Sequence, residues 1–527
     1  MRDTRTQHLR HNCLYIQKQQ AAEEKGLKEK EKLLRDEMFR KGTEHARRIL
    51  IPRSGPKQGL TMLATDADGH VATKPKHISD VIERHTLKIL GKLPKALPKS
   101  MPWQESVMWQ TKRAAWNLAA MTEITAITTP TDMQRIIGKS KLNSAPGLDG
   151  VQYEAPKLLL LEDDDIAKII NSEDGAQNNE IHKPFLTFLT NLTNAILSSP
   201  TLSSTLGESE VVYLYKENGD PAMLDNYRPL SLQSVLYKIA ASQVAHKIQS
   251  ASDKLCLMSR VQAASRKEGR AGDHIVALTN TMAHAHASNS ELHIILTDIA
   301  KAYDTAPREA LLEALAIHGF PSEKIRQVRL LQACHGAVAR TPYGHTARKI
   351  YTKRGCKQGC PLSPITFCLF MNMLIQWVEF IFKGGYEITP QQPKLGDLHH
   401  HPSSTSRLAI QAFMDDLALV ARNAPDAQEL LTRTHTFLSA YGMELSAPKC
   451  KHIYIPKKGG PPRPESVSVP HEALNEDVQL PAILADDPAK YLGHVITPNL
   501  RWETQASVTV QRVKIASHKI RIAAAKK

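Results

Sequence analysis

The spacing of apolar residues along the chain predicts both strands and helices. Short runs rich in β-branched and aromatic residues predict strands over residues 211–215, 293–299, 408–413, 417–420 and 451–455. Apolar residues at helical spacing cover residues 103–121 and 184–197. Because long helical stretches separate the strands, and no internal repeat is visible, the pattern favours a mixed α/β or α+β chain.

The longest apolar run covers residues 363–382. It contains Pro364, Asn372, Gln376 and Glu379, whereas a helix that spans a bilayer needs about 20 nearly uninterrupted apolar residues. We therefore predict a buried, partly amphipathic helix here and no association with a membrane.

The first 50 residues carry mixed charge at helical spacing. This pattern predicts a solvated helix that packs weakly, and a basic arm on nucleic acid is the alternative. Proline and glycine mark a linker over residues 51–59, and Pro94, Pro98 and Pro102 mark a second boundary.

Two further segments are predicted to be exposed loops. Residues 384–406 are rich in glycine and proline and include three consecutive histidines at 399–401, and residues 457–464 read KKGGPPRP. Three adjacent histidines can bind a metal, but in such a loop we expect them to be solvated.

Composition and charge narrow the class of protein. With 42% hydrophobic and 23% charged residues, the 527-residue chain can form a sizeable core over several subdomains, which excludes full-length disorder, collagen and disulfide scaffolds. Lys and Arg number 68 against 53 Asp and Glu, a net charge of +15. This excess favours a polyanion partner such as nucleic acid, and a merely basic surface is the alternative. Seven cysteines without zinc-finger spacing, and a charged N-terminus without a secretory signal, indicate a reduced intracellular protein.

Two adjacent carboxylates, Asp415 and Asp416, lie between two apolar runs in the segment LAIQAFMDDLALVAR (408–422). A hairpin with a tight turn would place both at its tip. Side-by-side carboxylates repel each other, and a divalent cation would offset that repulsion. A solvent-exposed tip, where paired charge costs little, explains the same residues equally well.

A second acidic segment is LHIILTDIAKAYDT (292–305). Asp298 follows an apolar run and should stand at the end of a strand, whereas Asp304 could instead cap a helix over residues 308–317. One carboxylate at a strand end and two at a hairpin tip is the arrangement that two-metal chemistry requires. Residues 162–165 are also acidic, but they lack flanking strands and are predicted to form a solvated loop.

Eight segments carry motif-like sequences in a fixed order. They are SAPGLDG (144–150), VVYLYKENGDPAMLDNYRPLSLQSVLYKI (211–239), VQAASRKEGRAGDHIVAL (261–278), DIAKAYD (298–304), GCKQGCPLSP (355–364), AFMDDLALVA (412–421), GMELSAPKCK (442–451) and YLGHVIT (491–497). Together they resemble the motifs of reverse transcriptases, specifically those of non-LTR (LINE-type) retrotransposons, over about residues 140–515. The resemblance implies an α+β right-hand polymerase fold, with helical fingers, an antiparallel palm sheet with packed helices, and a partial thumb.

The resemblance also implies a division of the chain. Residues 1–95 would form a charged, largely helical extension with linkers, 96–290 the fingers and the start of the palm, 291–497 the palm with a loop insertion near 384–406, and 498–527 the start of a truncated thumb. Residues 511–527 would be the first basic thumb helix. The chain would then be part of a longer element protein, or a decayed or domesticated copy. Its expected partners would include the endonuclease or C-terminal domains of that element, which this sequence does not contain.

Catalytic roles are carried over from the resemblance residue by residue. Asp298, Asp415 and Asp416 match the carboxylates that hold two Mg²⁺ ions, with Mn²⁺ as a substitute. One ion would lower the pKa of the primer 3′-hydroxyl and the other would neutralise charge on the leaving pyrophosphate. Lys449 matches a proposed general acid for pyrophosphate departure, with Lys451 two residues away as the alternative.

The resemblance assigns further residues to the incoming nucleotide. Tyr303 stands at the sugar-sensing position, where a ring beside C2′ leaves no room for a 2′-hydroxyl; a core aromatic is the alternative. Gln358 and Gly359 match a loop near the nucleotide and template, with Gly359 allowing close approach of the backbone. Lys216 and Arg228 match basic fingers positions near the triphosphate and template, and ordinary surface charges are the alternative.

The primer end would be held by Tyr491, Leu492 and Gly493. Two motifs depart from the pattern of the relatives. Met414 replaces the usual alanine of the hairpin, which we expect to be tolerated because methionine is a flexible apolar residue. Residues 264–265 read Ala-Ser in place of Gly-Phe, which affects the packing of the fingers.

The leading hypothesis is an RNA-directed DNA polymerase that extends a DNA primer or target 3′ end on an RNA template with deoxynucleoside triphosphates. A catalytically weak or inactive RNA-binding remnant is the alternative from another class. An RNA-dependent RNA polymerase shares the two-metal palm, but Tyr303 counts against it. The protein is expected inside the cell, and insertion into a chromosome would place it in the nucleus.

Overall fold

The computed structural model describes residues 64–65, 71–72, 74–104, 108–142, 144–158, 179–216, 219–333, 335–388, 406–471, 476–511 and 514. The predictions for residues 1–50, 51–59, 162–165 and 399–401 lie outside the described residues. Chain contacts divide the protein into two units, and Gln58–Gln505 forms the larger one. Except for residues 506–511 and 514, the described residues belong to this larger unit.

The helices of the described chain are α1 (Pro75–Leu90), α2 (Met108–Ala114), α3 (Leu118–Thr125), α4 (Pro130–Lys139), α5 (Glu154–Leu158), α6 (Asn179–Ser198), α7 (Ser204–Gly207), α8 (Val235–Lys254), α9 (Ala271–Ala287), α10 (Ala302–Thr305), α11 (Arg308–Ile317), α12 (Ser322–Gln332), α13 (Ser363–Ile381) and α14 (Ala424–Ala440). Short 3₁₀ turns cover Leu224–Asn226 and Ala447–Lys449. The helix predicted over residues 184–197 is confirmed as part of α6. The helical pattern over residues 103–121 is confirmed by α2 and the start of α3, which are separate helices because Asn117 begins α3 by accepting a hydrogen bond from the Ala120 N–H.

The strands of the described chain are β1 (Ala64–Thr65), β2 (Val71–Ala72), β3 (Ser209–Tyr215), β4 (Tyr227–Gln233), β5 (Leu292–Thr297), β6 (Gly336–Thr341), β7 (Gly344–His345), β8 (Ile350–Tyr351), β9 (Tyr386–Ile388), β10 (Ser406–Leu408), β11 (Ile410–Phe413), β12 (Asp416–Ala421), β13 (Lys451–Ile455), β14 (Ser468–His471), β15 (Glu476–Gln479), β16 (Ala482–Ile483), β17 (Ala489–Tyr491) and β18 (His494–Ile496). All five predicted strands are present, although the run 408–413 is divided at Ala409 between β10 and β11. The α+β class is therefore confirmed.

A larger sheet has the strand order β11-β12-β5-β13-β16. Its neighbours are antiparallel except for β13 and β16, which are parallel. The central strand β5 is buried along its whole length. Ile295 packs into a core with α11, α13 and α14, whereas Ile294 and Leu296 on the opposite face pack with α9. Because helices cover both faces, β5 is buried on both sides and is mostly apolar.

Helix α13 is the apolar run that was predicted to be a buried helix. By length and composition alone it could cross a bilayer, but 78% of its most apolar window is buried inside the protein. Phe367, Phe370 and Leu374 lie fully within the core of the larger sheet. The prediction of a buried core helix is confirmed.

A smaller sheet has the order β4-β3-β6-β7, with β8 also paired to β6. Helix α1 covers one face: its Ile78 and Ile82 share a core with Val211 and Ala339 of the sheet. The Thr86 and Tyr213 hydroxyl groups lie 2.8 Å apart at this contact. A helix from the region predicted to be an N-terminal extension is thus part of the packed core.

Two loop predictions have different outcomes. Residues 457–464 form an exposed loop, as predicted. The prediction of a loop throughout residues 384–406 is wrong at both ends, because β9 pairs with β10 there; residues 389–405 lie outside the described part of the chain.

Residues 503–511 are helical, and most of the predicted thumb helix lies outside the described residues.

Candidate active site

The two adjacent carboxylates lie at the end of a β-hairpin, as predicted. Strands β11 and β12 are antiparallel, and Phe413 pairs with Asp416 as their last residue pair. Met414 and Asp415 therefore form a two-residue turn. Met414 has φ = 60°, in the left-handed region that a side chain disfavours. Something outside the turn must hold this conformation.

Asp298 lies beside these carboxylates. Strand β5 ends at Thr297, which pairs with Leu417 of β12, so the same register places Asp298 next to Asp416. The Asp298 carbonyl accepts a hydrogen bond from the Ser446 N–H at 2.7 Å. The prediction that Asp298 ends a strand is confirmed, and three carboxylates meet at one edge of the larger sheet.

The three carboxylates repel one another. Burial, with the nearby charge of Asp298, raises the pKa of Asp415. Partial desolvation of the carboxylate, followed by repulsion from Asp415 and Asp298, raises the pKa of Asp416 to about 6. Within the described chain no three His, Cys, Asp or Glu side chains are already gathered as a metal-ligand set. Hard oxygen donors that repel across neighbouring strand ends nevertheless fit a divalent cation, because its charge removes the repulsion.

The raised pKa of Asp416 predicts a pH-dependent stability. Folded Asp416 binds its proton more tightly than an unfolded aspartate with a pKa of 3.8, so wild-type protein in EDTA gains stability as the pH falls from about 6 towards 3.8. Asp416→Asn lacks this titration. Its free energy of unfolding in urea should exceed that of wild type near pH 7.5, and the difference should shrink below pH 6 and vanish below the unfolded pKa of 3.8.

Comparing the unfolding free energies of wild type and Asp416→Asn separates the titration of Asp416 from that of a second group in the same pH range. Asp304, whose pKa burial raises to about 6, titrates in both proteins and cancels from their difference. An Asp416→Asn protein that is no more stable than wild type at pH 7.5 would contradict the repulsion.

Cations surround the carboxylates. Lys449 Nζ lies 3.5 Å from Asp298 Oδ2, and Arg228 is close enough to lower the pKa of Asp415 in opposition to its burial. Burial and the charges of Lys449, Arg228 and Lys301 lower the pKa of Lys216. The predicted residues Lys216, Arg228 and Lys449 are thus brought together around one site.

An ion pair that the sequence analysis did not predict adds another cation to this group. Lys301 Nζ lies 2.6 Å from Asp225 Oδ1, and the Asp225 carbonyl accepts a hydrogen bond from Lys216 Nζ at 2.8 Å. Lys301 stands three residues after Asp298 and has φ = 49°. The position of Lys301 within the motif DIAKAYD could have marked it as a residue of the site. Its pairing with Asp225, 76 positions away, could not be predicted from local sequence.

Tyr303 packs at the boundary between the core and the site. Its ring stacks on Phe367, with ring centroids 4.7 Å apart, and its hydroxyl donates to Met414 Sδ at 2.9 Å. The side chain is partly buried against the core of the larger sheet. The residue that departs from the relatives' pattern in the hairpin is therefore the one that fixes the Tyr303 hydroxyl.

Gln358 binds Asp304 rather than standing free. Gln358 Nε2 donates to Asp304 Oδ1 at 2.8 Å, and the Gln358 carbonyl accepts from the Ser231 N–H at 2.7 Å. The alternative that Asp304 caps the helix over 308–317 is wrong: α11 has Pro307 at its N-cap without a side-chain cap. Asp304 is buried in α10 and instead anchors the Gln358 loop.

Gly359 is required by the backbone geometry. It has φ = 106°, and a Cβ atom there would lie 2.9 Å from the Ser231 carbonyl oxygen. The tight approach is therefore to strand β4. Gly359→Ala should lower the free energy of unfolding by about 1–3 kcal/mol, measured by urea denaturation. Gly272→Ala is the matched control, because no atom lies within 4 Å of its added Cβ; equal stability of the two variants would contradict the geometry.

Tyr491, Leu492 and Gly493 form the corner of the hairpin between β17 and β18. Leu492 (φ = 46°) and Gly493 (φ = 81°) both have positive φ, which is typical of a type I′ turn. Tyr491 is buried, and its hydroxyl has no hydrogen-bond partner among the described residues. Burial and then the charge of Asp416 raise the pKa of Tyr491, so this hairpin lies close to the carboxylates.

The family model described as "Reverse transcriptase (RNA-dependent DNA polymerase)" matches residues 215–496, more than half of the chain. This range contains Asp298, the β11–β12 hairpin and the corner between β17 and β18.

Curated relatives carry retrotransposon names. The chain is 27% identical over 270 residues to the "Retrovirus-related Pol polyprotein from type-2 retrotransposable element R2DM" of Drosophila melanogaster, covering 51% of this chain and 23% of that protein. It is 23% identical over 284 residues to the corresponding type-1 element R2 polyprotein of Popillia japonica, covering 53% and 36%. A "Transposon TX1 uncharacterized 149 kDa protein" of Xenopus laevis is 23% identical over 219 residues, covering 41% and 15%. The matches thus span only a minor part of each relative.

Proposed function

Since the chain belongs to the reverse transcriptase (RNA-dependent DNA polymerase) family, we propose that it extends a DNA 3′ end on an RNA template with deoxynucleoside triphosphates. The observation that carries this proposal is the register that sets Asp298 beside Asp416 and Asp415. The names of its relatives support an origin in a non-LTR retrotransposon. Such an origin would place the protein's work in the nucleus.

The right-hand architecture is proposed from the two sheets. The larger sheet, with α9 and α13 on its faces, would be the palm that carries the carboxylates. The smaller sheet, with α1 on one face, would belong to the fingers. Arg228 lies in β4 and Lys216 directly follows β3. Arg228 is close enough to lower the pKa of Asp415 in opposition to its burial, and Lys216 is close enough to Lys449 and Arg228 for their charges, after burial, to lower its own pKa. Fingers that close over a palm would place cations near the carboxylates in this way.

Asp298, Asp415 and Asp416 would hold two Mg²⁺ ions, or Mn²⁺ in their place. When bound, the ions supply activation of the primer 3′-hydroxyl and neutralisation of charge on the leaving pyrophosphate. The chain's own contribution is to position the carboxylates, because Asp298 directly follows β5 and Asp416 is the first residue of β12. Lys449, already paired with Asp298, would donate a proton to the departing pyrophosphate. Lys451, the alternative general acid, is the first residue of β13.

The incoming nucleotide would lie between the cations and Tyr303. Lys216 and Arg228 would neutralise the triphosphate. Tyr303, held by its stack on Phe367, would exclude a ribose 2′-hydroxyl. Gln358 and Gly359, fixed against β4, would line the nucleotide and template side.

The primer end would be held by Tyr491, Leu492 and Gly493. Their hairpin lies close to Asp416, which is where a primer 3′-hydroxyl must arrive. The unpartnered Tyr491 hydroxyl offers a hydrogen bond at that place.

The test is primer extension by the purified protein on an RNA template with Mg²⁺ and deoxynucleotides. We expect a DNA product whose sequence follows the template, lost in EDTA and much reduced when ribonucleotides replace deoxynucleotides. Extension with ribonucleotides alone would instead indicate an RNA polymerase. Absence of product together with tight, salt-sensitive RNA binding would overturn the proposal in favour of an RNA-binding remnant.

A further inference from the structure

The strained turn that carries Asp415 is held from outside the hairpin. Met414 occupies the left-handed region, a conformation that costs about 1–2 kcal/mol for a residue with a side chain. A two-residue hairpin of this kind usually places glycine there. The chain uses methionine, so the turn needs an external support if Asp415 is to keep one position.

Gln262 supplies that support. Its Oε1 accepts a hydrogen bond from the Met414 N–H at 3.1 Å, and its Nε2 donates to the Met414 carbonyl at 3.5 Å. The same Oε1 accepts from the Ala264 N–H at 3.2 Å. Gln262 is fully buried, so water cannot replace these bonds.

The backbone around Gln262 is fixed to the hairpin itself. The Ala412 N–H donates to the Val261 carbonyl at 2.8 Å, and the Ala263 N–H donates to the Ala412 carbonyl at 3.0 Å. These bonds make a parallel bridge between Gln262 and Ala412 on the outer side of β11. The segment thus covers the edge of the larger sheet and sets Gln262 in register with the turn.

The segment is also anchored to the helices. Asn372 of α13 accepts a hydrogen bond from the Ser259 N–H at 2.9 Å and donates to the Leu257 carbonyl at 3.1 Å. Gln249 of α8 donates to the Ser265 carbonyl at 2.6 Å. The support for the turn therefore rests on the packed core.

We propose that Gln262 is a positioning residue that clamps the Met414 backbone and thereby fixes the Asp415 carboxylate for nucleotidyl transfer. This inference rests on the proposed function for its catalytic consequence. Without Gln262 the Met414 N–H is buried without a partner, and the turn relaxes away from its strained φ. A shift of about 1 Å in a reacting group can lower a rate by about 10²-fold.

The main test uses Gln262→Met, which keeps the length and volume of the side chain but removes its acceptor and donor. Gln376→Met is the matched control, because Gln376 is a buried glutamine of α13 whose Oε1 has no hydrogen-bond partner in the described chain. We expect Gln262→Met to lower kcat by about 10²-fold, with the KM for deoxynucleotide and the Kd for RNA–DNA primer within about threefold of wild type. Gln376→Met should keep kcat near wild type.

Hydrogen exchange measures the clamp without requiring activity. In the peptide that spans residues 410–418, the Met414 amide of Gln262→Met should exchange at least about tenfold faster than in wild type. Gln262→Glu keeps an acceptor for the Met414 N–H, so its exchange should stay near the wild-type rate even where Gln262→Met folds poorly. Unchanged exchange in Gln262→Met, or a kcat within about threefold of wild type, would overturn the clamp. A wild-type protein without polymerase activity would overturn the proposed function, and exchange alone would then decide on Gln262.

Discussion

Asp415→Asn should lower the rate of primer extension on an RNA template by at least about 10³-fold, equivalent to about 4 kcal/mol of transition-state stabilisation. The amide has nearly the shape of the carboxylate but carries no charge to hold a cation, and Asp415 lies at the tip of the hairpin beside Asp416 and Asp298. Single-turnover extension with Mg²⁺ gives the rate directly. The loss should persist at saturating deoxynucleotide, because a chemical step is affected.

Unfolding cannot produce this loss. Burial and the charge of Asp298 raise the pKa of Asp415, so removing its charge should leave the protein at least as stable as wild type in EDTA at pH 7.5. Asp80→Asn is the matched control, since Asp80 is an exposed carboxylate of α1 and should leave extension unchanged. Extension by Asp415→Asn above about one-tenth of the wild-type rate would contradict the assignment of the site.

Tyr303→Ala should lower the preference for deoxynucleotides over ribonucleotides by about 10²-fold, the scale on which a pocket discriminates a single added group. The ring stacks on Phe367 and its hydroxyl is fixed by Met414, so it is held in place as a steric barrier. Removing the ring opens space for a 2′-hydroxyl. The ratio of kcat/KM for the two nucleotide types measures the effect.

Tyr303→Phe separates the ring from its hydroxyl. This variant keeps the stack on Phe367 and loses only the hydrogen bond to Met414 Sδ, so its preference should remain within about threefold of wild type. If phenylalanine and alanine lose the preference equally, the hydroxyl and not the ring excludes ribonucleotides. If neither variant changes it, Tyr303 is a core aromatic and not a sugar sensor.

Local sequence patterns predicted the parts of the site that depend on neighbouring residues. The apolar run before Asp298 and the two runs around Asp415 and Asp416 were sufficient, because strand alternation and turn position are short-range properties. The buried helix α13 followed from its composition in the same way. The roles of Lys449, Tyr303 and Tyr491 came from family resemblance and stay predictions, although the structure places all three near the carboxylates.

The sequence could not show the contacts between distant segments. Gln262 bonds to a residue 152 positions away, and the ion pair of Lys301 with Asp225 joins segments 76 positions apart, so neither contact has a local pattern. Asp304 was misjudged for the same reason, since its partner Gln358 arrives from another loop. The division of the helical region 103–121 into α2 and α3 did have a local signal in Asn117, whose residue type favours an N-cap.

The packing of α1 has a consequence for synthesis on the ribosome. Helix α1 ends at Leu90, whereas strand β6, which completes the core beneath it, begins at Gly336. At about 5–20 residues per second, roughly 12–50 s separate the emergence of the two segments. Strands β3 and β4 emerge within that interval, but the core beneath the helix stays incomplete until Ala337 and Ala339 of β6 arrive, so nascent chains of this protein should depend on chaperones more than their finished fold suggests.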